Sequence, residues 1–301
     1  MSRIICVGVD PAPSWGGAVA ECIYKGGKFG CFQLHKKKKH GELRTRLTEL
    51  ANLSSEEYAI VGWDAPLTGP PKPDDETNSL CKGQLSDRGI EKALRRIVVR
   101  KQTEVKKQTG VKGVSVRPFG GCSHWTITRN LVGLPRVGKW DRQEKCLPFH
   151  LLTEDALLSK KSYIVEVHPA VALWLWVSED NLELQRDESY FIYKGRSKKQ
   201  EDQLKRRGEI LDRVFKHWEN NEATVRFMDD LDLKLETHRK LIIESGDSLD
   251  AFIAMALVCL FVRSRTMQPD QRPVKLFGDR ERGAMLLPDH KELSVELRRA
   301  H

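Results

Sequence analysis

Ser245-Gly-Asp247-Ser-Leu-Asp250-Ala-Phe-Ile-Ala-Met-Ala-Leu-Val-Cys-Leu-Phe-Val262 is polar for one turn and then apolar without a break from Ala251 onward. The pattern predicts a helix buried on all sides. Asp247 and Asp250 stand three residues apart, and positions i and i+3 share a helix face. Two carboxylates on one face at the mouth of a buried helix can do one of two jobs. Asp247 can accept from the unpaired N–H groups of the first turn, with Asp250 near the positive end of the helix dipole. Alternatively, the pair can hold a divalent cation, because hard cations take carboxylate oxygens. Taken alone, capping is the commoner role, so the choice falls to the rest of the chain.

Three other buried runs carry acids. Arg3–Val9 is nearly all apolar, reads as a central strand, and ends on Asp10-Pro11. Tyr58–Trp63 repeats the pattern and ends on Asp64-Ala-Pro66. Open α/β sheets place their ligands at such strand exits. Ser162–His168 is a third such run; it carries Glu166 and is closed by Pro169. A glutamate there needs a metal or an arginine partner to offset its burial. Gly17–Tyr24 and Lys28–His35 read as strands joined by the hairpin signal Lys25-Gly-Gly27, giving three antiparallel strands at the start. Lys36–Lys39 reads as a solvated loop. Helices are predicted over 42–53, 170–177, 200–220 and about 233–243. A charged stretch is read between the last two, and a linker over 269–273. Residues 274–277 and 284–287 read as a C-terminal hairpin or lid, at about 270–290.

The chain has 301 residues, is 40% hydrophobic and 31% charged, and carries a net charge of +9. That is enough apolar material for a sizeable core, and the excess charge points to an acidic partner. Between Lys82 and Arg117 there are eleven Lys/Arg against three acids, a net +8, within a long irregular region at about 67–160. Such concentration suits a phosphate-binding face on a helical, basic insertion. The loop Arg117–Trp125 could follow a nucleic-acid strand. Cys122, His124, Cys146 and His150 have spacing too irregular for a typical structural zinc site. Seven cysteines, without a C-x-x-C, suit buried thiols in a reducing compartment. No signal peptide is read at the start, and the 251–262 run is too short to cross a bilayer. The expectation is a cytoplasmic protein with no membrane partner.

The acids therefore come from separate strands and one helix start. That is the composition of a two-metal site, in which Mg²⁺ or Mn²⁺ ions clamp the attacking and leaving oxygens of a phosphodiester. No serine or histidine nucleophile is apparent.

The order of these pieces resembles the ribonuclease H-like plan, and Asp247-x-x-Asp250 resembles the acidic pattern of RuvC-type Holliday-junction resolvases. The chain is most similar to the DUF429 family, a group described as predicted RNase H-like nucleases. The residues that carry this resemblance are Val7-Gly-Val-Asp10, Trp63-Asp-Ala-Pro-Leu67, Cys81…Asp87-Arg88…Leu94-Arg95, Val165-Glu-Val-His-Pro-Ala170, Tyr193-Lys194 and Asp247-Ser-Leu-Asp-Ala251. His168 departs from the tyrosine that commonly precedes this proline in the family. The resemblance implies one α/β domain over 1–301, with a mixed sheet of three antiparallel and then parallel strands. It implies a metal-dependent nuclease acting on DNA or RNA. Asp10, Asp64, Asp247 and Asp250 would be metal ligands, with Glu166 a further catalytic acid. Arg88, Arg95, Lys194 and Arg207 would contact substrate phosphates. Three other readings stay open: a phosphotransferase or ATPase of the actin and sugar-kinase type, a nucleic-acid-binding protein without catalysis, and an enzyme of another class in which the acids only cap and pair.

Overall fold

The computed structural model describes residues 3–12, 16–54, 56–65, 67, 90, 92–94, 96–97, 100, 103, 131–132, 147–153, 160–178, 193–194, 200–279 and 283–299. Strands β1 (Arg3–Ala12), β2 (Gly16–Lys25) and β3 (Lys28–Lys38) form an antiparallel meander. Helix α1 (His40–Ala51) leads into β4 (Glu57–Trp63); β5 (His150–Leu151) and β6 (Tyr163–Glu166) follow. The sheet order is β3-β2-β1-β4-β6-β5, with β1, β4, β6 and β5 mutually parallel. This mixed sheet, flanked by helices, agrees with the ribonuclease H-like plan.

Side chains alternate across a strand, so each strand serves two cores. On β1, Ile4 and Cys6 belong to one core, while Ile5, Val7 and Val9 belong to the other. On β4, Tyr58 and Ile60 face the first core, and Ala59, Val61 and Trp63 face the second. The second core is closed by Leu43, Leu47 and Leu50 of α1. The first is closed by α2 (Pro169–Ser178), α3 (Gln200–Trp218), α4 (Glu222–Asp230), α5 (Glu236–Ile243) and, at its centre, α6 (Gly246–Ser264).

Helix α6 is the predicted apolar helix, and every residue from Ser248 to Val262 is buried. Each of its large apolar side chains contributes about 1.5–3 kcal/mol on burial. The helix reaches the sheet closely because two strand positions lack a side chain. A Cβ on Gly8 would lie 2.1 Å from both the Ala251 carbonyl oxygen and the Met255 nitrogen. A Cβ on Gly62 would lie 2.7 Å from the Ala254 oxygen. The α6 backbone therefore rests on β1 and β4, two residues before Asp10 and Asp64.

The lysine run 36–39 is the end of a strand rather than a loop: β3 continues to Lys38, and the Lys39 N–H donates to Glu42 to start α1. The charged stretch after α3 contains α4, and Pro269–Gln271 is a short 3-10 turn. Strands β7 (Val274–Asp279) and β8 (Gly283–Pro288) form an antiparallel hairpin, followed by α7 (Lys291–Arg299). The hairpin belongs to the core: Met285, Leu286 and Leu287 are fully buried, and Leu286 bridges to Val167 beside β6. The described residues between 90 and 103 are helical, and Ile90, Ala93, Leu94 and Ile97 pack against α2, the hairpin and α7. Part of the basic segment is compensated there, since Arg100 lies 3.2 Å from Glu292 and 3.4 Å from Glu296. Among the described residues no single helix is long and apolar enough to cross a membrane.

Candidate metal centre

Strand alternation carries the β1 series Ile4, Cys6 and Gly8 on to Asp10, and the β4 series Tyr58, Ile60 and Gly62 on to Asp64, both on the α6 side. Both strands run parallel and end together; the Asp64 N–H donates to the Val9 carbonyl, 3.0 Å. The α6 backbone, seated on Gly8, sets Asp250 beside them. One carboxylate oxygen from each of Asp10, Asp64 and Asp250 lies within 4.8 Å of the others. Three residues separated by up to 240 positions in the chain thus meet at the exits of two parallel strands and the start of one helix.

Capping and clustering are divided between different residues. Ser245 is the cap of α6; its Oγ accepts from the Ser248 N–H at 2.9 Å. Asp247 therefore does not cap. It sits in the first turn with its side chain 39% exposed, at the rim of the cluster. Glu166 falls outside the cluster for a reason of parity. It shares the β6 face of Ile164, turned away from α6, and its Oε2 accepts from the Leu67 N–H at 2.9 Å. Its charge still adds to those acting on Asp64. His168 is buried at the junction of β6 and α2.

The ammonium of Lys194 enters the cluster from the solvent side. Its Nζ lies 2.9 Å from Asp10 Oδ2 and 3.5 Å from Asp247 Oδ1, and it pairs with Asp250 Oδ2. The Tyr193 hydroxyl donates to the other Asp250 oxygen at 2.5 Å. Arg207 fixes this segment through backbone carbonyls. Its Nε donates to the Ile243 carbonyl (2.5 Å), Nη1 to that of Tyr193 (3.1 Å) and Nη2 to that of Glu244 (3.1 Å). Three of its N–H groups are bound to backbone carbonyls, so Arg207 is a clamp between residue 193 and the entry to α6. Arg88 and Arg95 lie outside the described residues, as do Cys122, His124, Cys146 and the loop 117–125.

The cluster is electrostatically overloaded. Burial pushes the Asp10 carboxyl up to about 8; Lys194 pulls it down while Asp250 and Asp247 push it further up. Burial likewise raises Asp64 well above the usual carboxylate range, and the neighbouring Asp10 and Asp250 charges add to this. Asp250 is raised by burial, against the pull of Lys194 and Tyr193. Burial works against the charge of Lys194, but Asp250 and Asp10 together hold its ammonium well above the ordinary lysine value. Three buried carboxylates share one ammonium. Among the described residues the buried Asp64 Oδ1 has no hydrogen-bond partner at all. A buried carboxylate oxygen without a partner, on a residue beside two other carboxylates, is unfavourable unless a cation joins them.

The residues from β1 to the end of α6 also match a known family. A family model described as "Protein of unknown function (DUF429)" matches residues 8–271. The chain belongs to this family. No curated protein and no solved structure gives a significant match. Asp10, Asp64 and Asp250 all lie within the DUF429 match.

A second group of metal-ligating side chains lies deep in the core. The sulfurs of Cys6, Cys22 and Cys259 lie within 4.8 Å of one another, with Cys22 and Cys259 3.3 Å apart, and none is exposed. Cys6 and Cys22 are cross-strand partners on β1 and β2. Cys259 is more than two helical turns along α6 from Asp250, so this group is separate from the carboxylates.

Proposed function

We propose that the protein is a divalent-metal-dependent nuclease that hydrolyses phosphodiester bonds of DNA or RNA, with Mg²⁺ or Mn²⁺ held by Asp10, Asp64 and Asp250. The observation that carries this reading is the convergence of three buried carboxylates with Asp64 Oδ1 left unpartnered. The donor set fits the group: hard oxygen ligands of high charge density suit Mg²⁺ or Mn²⁺ and disfavour softer metals. When bound, such an ion lowers the pKa of a coordinated water and offsets the negative charge of a phosphate.

The chain's own residues account for the rest. The Tyr193 hydroxyl and the Lys194 ammonium hold the two Asp250 oxygens in one orientation. Lys194 also holds Asp10 Oδ2, which leaves Asp64 as the least constrained ligand. Gly8 and Gly62 hold α6 against the sheet, so the ligand set keeps its shape before substrate arrives. The side chain of Lys194 is 44% exposed, so its positive charge would draw a phosphate toward the strand exits. Hydrolysis adds the water oxygen to phosphorus and breaks a phosphorus–oxygen ester bond, and the leaving oxygen receives a proton. The excess positive charge of the chain suits a polyanionic substrate.

The test is cleavage of a panel of single-stranded, duplex and junction DNA and RNA, with Mg²⁺ or Mn²⁺, by wild type and Asp64→Asn. Metal-dependent cutting that disappears in the variant supports the reading. Absence of cutting across the panel, or cutting that survives in Asp64→Asn, overturns it.

A further inference from the structure

We propose that Lys194 supplies the second positive charge of this centre, so that the site takes one divalent ion rather than two. The inference rests on the metal-dependent reading above and concerns how many ions that reading requires. The ammonium contacts Asp10, Asp250 and Asp247, while the open Oδ1 lies on Asp64. The cluster thus has two ends. One is the pocket between Asp10, Asp250 and Asp247, filled by an ammonium. The other is the space between Asp10, Asp250 and Asp64, whose carboxylate oxygens lie within 4.8 Å of one another and where Asp64 also carries an unpartnered oxygen. Asp10 and Asp250 border both, as bridging carboxylates do in a dinuclear centre, with the lysine in place of one ion.

Charge balance agrees with this count. A divalent ion and one ammonium neutralise the three buried carboxylates. A second divalent ion would have to share Asp10 and Asp250 with an ammonium that already pairs with both. Asp247 is in contact with solvent, and Glu166 is turned to the other face of the sheet and bound to the Leu67 N–H. The lysine is also held in place. The backbone of Tyr193 is tied by Arg207, and the Lys194 stem crosses Gly246, where an added Cβ would lie 2.5 Å from Lys194 Cγ. Lys194 is thus a positioning residue for the bridging acids.

Mn²⁺ binding to the full chain, followed by calorimetry and electron paramagnetic resonance, tests the count without reference to activity. Wild type is expected to bind one Mn²⁺ per chain with the spectrum of an isolated ion. Lys194→Met, which keeps the length and removes the charge, is expected to bind two, with a spin-coupled spectrum. Lys194→Arg, which keeps the charge, is expected to return to one. Two ions in wild type, or one in Lys194→Met, overturn the role of the lysine and leave the metal site standing. Binding in Lys194→Met but none in wild type would show that the lysine replaces metal altogether, which also overturns the proposal. No binding in wild type or in Lys194→Met overturns the metal reading itself.

Discussion

Gly8→Ala should separate the two halves of the site. The added methyl would sit 2.1 Å from the Ala251 oxygen and the Met255 nitrogen, whereas ordinary contact begins near 3.4 Å. Both atoms are helix backbone, so no side chain can swing aside; α6 must move by about 1.3 Å or tilt. Overpacking of this kind costs about 1–3 kcal/mol and more where the neighbour cannot yield, so the expected loss is about 3 kcal/mol or more. The same displacement exceeds the roughly 0.2 Å tolerance of metal–ligand distances, because Asp250 rides on α6 while Asp10 stays on β1. Mn²⁺ affinity should therefore fall by about 10–100-fold or more, the range seen when only the groups that orient metal ligands are removed. Urea denaturation followed by tryptophan fluorescence gives the first quantity, and calorimetric Mn²⁺ titration the second. Gly62→Ala, which meets the Ala254 oxygen at 2.7 Å, should show a smaller effect of the same kind. Gly41→Ala in α1, where nothing lies within 4 Å, should be neutral or slightly stabilising. A Gly8→Ala protein with the wild-type midpoint and wild-type Mn²⁺ affinity would refute the claim that this contact sets the site.

Three further outcomes follow from the same geometry. Because the Asp10 carboxyl is raised to about 8 in the fold and sits near 3.9 in an unfolded chain, the native state holds more protons between those values. The metal-free protein should lose stability as pH rises from about 5 to 8, and stabilisation by Mn²⁺ should grow over the same range; melting curves with and without the ion at pH 6 and 8.5 report both. Asp64→Asn removes a buried charge that the fold disfavours, so the metal-free variant should melt at or above wild type at pH 8.5 while losing about 100-fold or more in Mn²⁺ affinity. Arg207→Ala should cost about 2–4 kcal/mol in urea denaturation, because three carbonyls lose donors from a cation, and should raise hydrogen exchange around residues 193–194 and 243–246; Arg207→Lys should recover only part of this, lacking the forked donors.

Much of this was legible in the chain because its strongest signals are local. The unbroken apolar run after Asp250 could only be a buried helix. The strand–Asp–Pro pattern at Asp10 and again at Asp64 marked two neighbouring strand exits. Parity separated Glu166 from them. It stands on a strand like theirs, but one residue out of phase with the α6 face, and a single strand read alone does not say which face is which. The cap fell to Ser245 rather than Asp247 because a serine and an aspartate two residues apart are both good caps, and φ and ψ at Ser245 decide between them. Helix α4 was hidden by the acids at its two ends, although Ala223, Thr224, Phe227 and Met228 form a buried stripe. The part played by Arg207 depends on carbonyls from residues 193, 243 and 244, a tertiary coincidence that no spacing in the sequence records. The ammonium of Lys194 among the acids was legible only as a motif, Tyr193-Lys194, without its partners.

A crystal of the protein soaked in Mn²⁺, with diffraction data collected at the manganese edge, would test the centre most directly. A single anomalous peak is predicted, about 2.0–2.3 Å from oxygens of Asp10, Asp64 and Asp250, with Asp64 Oδ1 among its ligands. With Mn²⁺ at saturating concentration, an empty carboxylate cluster with the Lys194 ammonium still in it would contradict the account.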